Sequence, residues 1–359
     1  MLNATELECL PKDTFGIVFF TRGWGRGHAI PDMAIAECLS TNTDGISIRF
    51  VSYGTGAATF RSCGVSVVDM KLPDNNPLLE TIVCCTQIVA SLKPQLVVAH
   101  EEVGALLGAK VFNTPSIFIT DFFQEPTMLA TKLLEYADEV IFIGNPGTFT
   151  EPPSLRQKIR YVGAAVRPFK YHRSDRTRAR AELGLPAEGT VISCMPGSWR
   201  ESYDPIADIL INAFDGLNYE PKRLVWLAGD DHDLLASRFA ARSDVIIKQH
   251  DWQIDRLMVA SDLVITKSNR VTLRELNALG IPSISLSHAT NWPDDVVAAQ
   301  ISTNLLLDVK GLDGAALSAH IVEKLRDSLP SCESPWPPGV SHASLRLKLH
   351  IDAHRGMPL

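Results

Sequence analysis

Short apolar runs rich in Val, Ile and Phe alternate with longer amphipathic stretches from one end of the chain to the other, the pattern of β-strands separated by helices. In the first half the runs predict strands at 15–20, 46–53, 65–70, 95–100, 115–120 and 139–145, with the clearest helices at 31–39 and 78–92. A stretch rich in Gly, Pro and Arg, 145–171, interrupts the alternation and reads as a linker. The second half repeats the scheme, with strands at 190–195, 223–228, 245–249, 263–266, 283–286 and 305–307. A proline-rich segment, 331–338, precedes a last helical pattern at 342–354, expected to pack back across the junction. Repeated βαβ units imply parallel sheets. The expected fold is α/β: two doubly wound Rossmann-like domains, 1–165 and 166–339, facing across a cleft, then a final helix at 340–359. Ligands of such sheets bind outside the carboxyl ends of the strands.

The chain length of 359 residues suits two cores rather than one. With 45% hydrophobic and 21% charged residues and a mean hydropathy of +0.05, no apolar run reaches the roughly 18 residues of a spanning helix. No integral membrane contact is expected, and the opening residues, with Glu6 and Glu8, do not read as a secretory signal. A cytoplasmic protein is the expectation. The net charge of −7 opposes a nucleic-acid surface. The one basic cluster, Arg173 to Arg180, alternates with acidic and polar residues and reads as a solvated helix face. Seven cysteines contain no Cys-x-x-Cys pair, and Cys84-Cys85 fall in a predicted buried helix, so neither a disulfide framework nor a metal site is expected.

Candidate chemistry begins at Gly23-Trp24-Gly25-Arg26-Gly27-His28-Ala29-Ile30-Pro31, a glycine turn between the first strand and the first helix. Glycines there allow close backbone approach to a ligand, and the helix start offers N–H groups to an anion. Its Gly-x-Gly-x-Gly spacing departs from the dinucleotide fingerprint, and Tyr53-Gly54-Thr55 stands where a ribose-binding acid would follow the second strand. Gly27-His28-x-x-Pro31, followed by Ala34-Ile35-Ala36 and Leu39, resembles the opening motif of the GT-B nucleotide-sugar glycosyltransferases. The resemblance implies either base catalysis by His28, as in the plant and bacterial natural-product enzymes, or a loop, Gly25 and Gly27 included, facing donor diphosphate, as in the muramyl-lipid N-acetylglucosaminyltransferase. A helix cap is the plainer role for His28. A base would need a carboxylate partner; Glu101, Glu102 and Asp121 all follow predicted strands, each equally suited to capping the next helix.

In the second half the run from Asp262 to Pro282 resembles the donor-binding signature of the muramyl-lipid enzyme. It implies Ser268, Asn269 and Thr272 at a diphosphate and Glu275 at ribose hydroxyls, with Asn269 replacing the usual glycine, a position where the left-handed conformation is tolerable for Asn. The loop Met195-Pro196-Gly197-Ser198-Trp199-Arg200 is similar to the family's donor phosphate loop, implying contacts from Gly197, Ser198 and Arg200. Arg167 matches an arginine that reaches donor phosphate, His250 and Trp252 lie where relatives hold the base, Trp252 being equally suited to packing the two domains together, and Asn291, Asp294 and Asp295 match the sugar-recognition loop. Phe122, Phe123 and Met128 suit an apolar acceptor site or the core equally, and Asp231-His232-Asp233 reads as a helix cap rather than a metal motif. The resemblance therefore implies transfer of a sugar from a nucleoside-diphosphate sugar, a UDP-sugar, to an unidentified acceptor hydroxyl, without metal or cofactor. A GT-B epimerase or hydrolase and a non-catalytic sugar-nucleotide-binding partner protein are the alternatives.

Overall fold

The computed structural model describes residues 10–11, 13–23, 27–72, 78–123, 132–195, 203–249, 251, 253–287, 292–327 and 337–357. The described elements run β1 (Phe15–Thr21), α1 (Ala29–Thr41), β2 (Ile46–Ser52), α2 (Gly54–Ser62), β3 (Val67–Asp69), α3 (Leu78–Leu92), β4 (Leu96–His100), α4 (Val103–Val111), β5 (Ser116–Thr120), β6 (Glu139–Phe142) and β7 (Ile159–Tyr161). They continue as α5 (Arg176–Glu182), β8 (Thr190–Met195), α6 (Tyr203–Asp215), β9 (Lys222–Leu227), α7 (His232–Arg238), β10 (Val245–Lys248), α8 (Ile254–Ala260) and β11 (Leu263–Lys267). The last are α9 (Arg270–Ala278), β12 (Ser283–Ser287), α10 (Trp292–Gln300), β13 (Asn304–Asp308), α11 (Gly314–Lys324) and α12 (Pro338–His354). The chain divides into two compact units, Met1–Pro168 with Trp336–Leu359, and Phe169–Pro335.

In the first unit seven parallel strands are ordered β3-β2-β1-β4-β5-β6-β7. Every residue of β1 is buried, and the period of two divides its side chains between two cores. Val18 and Phe20 pack with Ile88 of α3 and Leu106 of α4. Ile17 and Phe19 pack with Ile35 of α1 and with Val340 and Leu347 of α12. The final helix is thus a layer of the first unit. It lies so close to the chain at Ala164 that a Cβ on Gly339 would collide with the Ala164 carbonyl. The segment expected as a linker contributes β7, a three-residue edge strand whose pattern is too short to register as a period.

The second unit orders six parallel strands β10-β9-β8-β11-β12-β13, with Trp226 and Phe214 fully buried in a core packed against the sheet. Here the expected solvated arginine face is corrected. Arg180 has no exposed surface; its guanidinium donates to the carbonyls of Ala260, Pro186, Ala187 and Gly189 and pairs with Asp262 at 2.7 Å. Asp262 also accepts from Arg176 and from the Val191 N–H. The fork of five donors gathers backbone carbonyls from two segments and the Asp262 carboxylate, which a helical pattern of charge does not reveal. Asp231 occupies the position before α7 but its side chain makes no cap bond, so the expected cap is absent. Of the acceptor-side aromatics, Phe122 and Phe123 are buried, Phe123 within the core, and Met128 lies outside the described residues. The five described cysteines are free, Cys85 buried and its thiol raised well above the ordinary range by burial. No described helix is long and apolar enough to cross a membrane.

Glu139 of β6 fastens α12: Arg346 approaches it with Nε at 2.8 Å and Nη2 at 2.5 Å, and His350 with Nε2 at 3.4 Å. Burial alone would raise this carboxyl, but the Arg346 and His350 hydrogen bonds outweigh it and hold it at about 2. A depressed folded value stabilises the native state above the unfolded value of 4.5 and ceases to do so as pH falls towards about 2. Glu139→Gln is expected to cost about 1–3 kcal/mol at pH 7, with urea unfolding curves of variant and parent converging across that acid window.

Candidate active site

The corner after β1 depends on close packing. A Cβ on Gly23 would meet the Tyr53 carbonyl oxygen at 2.5 Å, and the Gly56 N–H donates to the Gly23 carbonyl at 2.9 Å. The loop then reaches Gly27 and His28, both half-buried, at the start of α1. His28 stands at the cap position, but its side chain makes no cap hydrogen bond. Its Nε2 instead lies 2.8 Å from Oε2 of Glu101. Of the three carboxylates open to this role, the structure brings Glu101 to the imidazole.

Glu101 is placed by an unusual backbone. Its φ of 53° lies in the left-handed region, which turns the chain sharply as it leaves β4, while its N–H still donates to the Ile119 carbonyl at 3.1 Å. The carboxylate is almost wholly buried; Oε1 accepts from the Thr120 hydroxyl at 3.2 Å, and Arg22 Nη1 stands 3.6 Å from Oε2. An ionised Glu101 puts the shared proton on Nε2 of His28 and the lone pair on Nδ1.

Glu102 takes another course. Its carboxyl is buried against the Tyr53 hydroxyl and the Gly104 N–H at the start of α4. Burial pushes it up to about 7, against the lowering effect of Arg22 and those two hydrogen bonds. Asp121 is buried after β5, and its charge is felt at His100.

Two participants escaped the sequence reading. Asp32, fully buried in the first turn of α1, accepts from the Thr21 hydroxyl at 2.6 Å and pairs with His100 Nδ1 at 2.7 Å. Burial disfavours protonation of His100, but the adjacent Asp32 charge raises it on balance. The His100 ring meets that of His28 edge to face, centroids 4.9 Å apart. The signal was present in the chain: an acid one turn after His28 on the helix face that should be apolar. Among the described residues, His28, His100 and Glu101 place ligand atoms within 4.8 Å of one another. The 2.8 Å His28–Glu101 separation is shorter than the roughly 3.3 Å between ligands around a tetrahedral ion with bonds near 2 Å. The cluster therefore fits a hydrogen-bonded pair better than an ion cage.

In the second unit, the turn from β11 into α9 departs from expectation at Asn269. Its φ of −90° and ψ of 114° are extended rather than left-handed, and its side chain caps α9 by accepting from the Thr272 N–H at 3.1 Å. A capping Asn needs β-region angles, which explains how it replaces glycine here. Ser268 is fully buried, and its hydroxyl has no hydrogen-bond partner among the described residues. Thr272 is half-buried, whereas Glu275 is 1% exposed, so a ribose contact requires the protein atoms over it to move. Asp294 pairs with Arg270 Nε at 2.8 Å. Asp295 accepts from the Ser287 hydroxyl at 2.5 Å, while its other oxygen is buried without a partner among the described residues. Arg167, half-buried, belongs to the first unit. Gly25, Gly197, Ser198, Arg200, His250, Trp252 and Asn291 lie outside the described residues.

No protein-family model matches the chain. The UDP-N-acetylglucosamine--N-acetylmuramyl-(pentapeptide) pyrophosphoryl-undecaprenol N-acetylglucosamine transferase of Desulforudis audaxviator (strain MP104C) is 26% identical over 346 residues, 86% of this chain and 90% of the relative. Among solved structures, MurG of Acinetobacter baumannii matches with TM-score 0.63 at 14% identity over 95% of this chain and 99% of that one. The UDP-GlcNAc 2-epimerase of Methanocaldococcus jannaschii matches with TM-score 0.66 at 12% identity, over 93% and 99%. The structural likenesses show the GT-B fold, and the sequence relatives support the class of GT-B nucleotide-sugar glycosyltransferases. Within that class the chain resembles the muramyl-lipid N-acetylglucosaminyltransferases.

A buried carboxyl raised from 4.5 to about 7 favours the native state when neutral, so its contribution is lost as pH rises through that interval. Glu102→Gln keeps the shape without the charge. Its melting temperature is expected to exceed the parent's by more at pH 8 than at pH 5, measured by thermal unfolding at both.

Proposed function

We propose that the protein transfers a sugar from a UDP-sugar to an acceptor hydroxyl, with His28 as general base and Glu101 as its partner. The observation that carries this reading is the 2.8 Å contact between His28 and Glu101 at the carboxyl ends of the two central strands of the first unit. The names of the sequence relatives supply the donor class. In the proposed reaction His28 takes the proton of the acceptor hydroxyl as its oxygen bonds to the anomeric carbon. The bond from that carbon to the diphosphate oxygen breaks, and UDP departs with the electron pair. Glu101 holds the imidazolium that forms, a role for which a buried, oriented carboxylate is suited.

For the donor, the start of α9 in the second unit offers backbone N–H groups to phosphate. The buried hydroxyl of Ser268 supports a ligand there, because buried polar groups ordinarily have partners. No step in this reading uses a metal. Arg167, Glu275, Asp294 and the donor-loop residues Gly197, Ser198 and Arg200 keep the donor contacts that the resemblance implies. The acceptor is a hydroxyl compound of the lipid or sugar kind, and a cytoplasmic location accords with the composition.

Acceptor-dependent release of UDP from a UDP-sugar panel tests the activity, with product sugars separated to detect an epimer. His28→Ala is expected to slow transfer by about 10²- to 10⁴-fold while UDP binding, followed by calorimetry, is retained. Epimer formed without an acceptor, or a turnover indifferent to His28→Ala, would overturn the assignment. Ser268→Ala is expected to leave the ligand-free melting temperature unchanged or higher, since it removes a buried unpaired hydroxyl, and to weaken UDP binding about tenfold.

A further inference from the structure

We infer that the buried pair Asp32–His100 is a brace for the candidate dyad, its two members being positioning residues that hold His28 against Glu101. The inference rests on the catalytic reading of His28 and adds the device that sets its geometry. The two pairs are connected through the chain. Asp32 lies one helical turn after His28, and its N–H donates to the His28 carbonyl at 3.3 Å. His100 directly precedes Glu101, and its carbonyl accepts from the Arg22 N–H at 3.1 Å. Any change in the separation of Asp32 from His100 is therefore passed to the separation of His28 from Glu101.

Both oxygens of Asp32 are engaged, one by Thr21 at the end of β1 and one by His100 at the end of β4. The carboxylate thus ties the first turn of α1 to both central strands. The His100 ring also supports the His28 imidazole directly, edge to face. Such a pair is an expensive way to fill a core, because apolar side chains of similar volume often serve stability as well or better. What a hydrogen-bonded pair adds is direction: an apolar contact would let α1 slide along the strand ends, whereas bonds of 2.6 and 2.7 Å fix its distance and rotation.

Two variants test this in the full-length protein. Thr21→Val/Asp32→Leu/His100→Phe replaces the whole network with apolar groups, leaving no charge stranded. His100→Asn keeps a donor where Nδ1 now meets Asp32. The brace predicts that the triple variant retains its native circular dichroism and its donor KM within about threefold, while kcat falls at least about tenfold. His28→Ala in that background then costs less than it does in the parent, because the dyad is already uncoupled. His100→Asn retains most of kcat. An independent readout is the ¹⁵N signal of the His28 imidazole, assigned by its loss in His28→Ala, which should report the Glu101 hydrogen bond in the parent and in His100→Asn but not in the triple variant. A triple variant with parental kcat, or with the Glu101 signature intact, overturns the brace. Loss of the native fold in both variants overturns it too, since the pair would then serve the fold as a whole. A parent indifferent to His28→Ala refutes the catalytic reading, and the imidazole signal still decides the brace.

Discussion

The pairing of β1 with β4 is the constraint on which the first unit depends. Its register sets Thr21 opposite His100, so the two strands end at the same level. The chain continues from β1 towards α1, on one side of the sheet, and from β4 towards α4, on the other, as the core partners of each helix show. This is the switch point of a doubly wound sheet, where departing helices leave room above the strand ends. Arg22, His28, Glu101 and Glu102 converge there because the topology gives the loops nowhere else to begin.

Crowding that many ionisable groups at one buried spot is costly unless each has a partner. The structure resolves the cost in three ways: Asp32 is matched by His100 and Thr21, Glu101 by His28, Arg22 and Thr120, and Glu102 by partial neutralisation beside Tyr53. The same economy operates away from the site. Arg180 and Asp262 satisfy the chain ends between α5, β8 and β11, and Glu139 with Arg346 anchors the last helix on the first unit. The start of α9 differs, for there Ser268 keeps a buried hydroxyl without a partner among the described residues, beside a capped helix end. An unsatisfied group in a native fold calls for a ligand or another explanation, and the proposed nucleotide diphosphate would be such a ligand.

Legibility in the sequence followed the range of the interaction. Strand β8, predicted at 190–195, and helix α3, predicted at 78–92, were readable because side-chain periodicity is a property of neighbouring residues. Most other strands differ from expectation only at their ends. The edge strand β7 was not readable, since three residues define no period and its pairing with β6 is what makes it a strand. The Arg173–Arg180 helix was misread for a related reason: charge spacing shows a face but not what the face is turned towards. Asn269 was expected in the left-handed region because it stands where relatives have glycine; its own side chain offered a cap instead, and the helix took it.

What the sequence determined by itself was the alternation of strands and helices, hence two parallel sheets, and the two loops where chemistry gathers, around His28 and Ser268. Local propensity and hydrophobic period suffice for that. Tertiary structure alone decided which carboxylate meets the imidazole. Glu101 and Glu102 are adjacent and chemically alike, and each is about seventy residues from His28. The choice came from a single backbone turn at Glu101, with φ at 53°, together with the β1–β4 register and the hydrogen bonds of Asp32. Those terms exist only when distant segments are assembled, which is why no reading of neighbours along the chain could supply them.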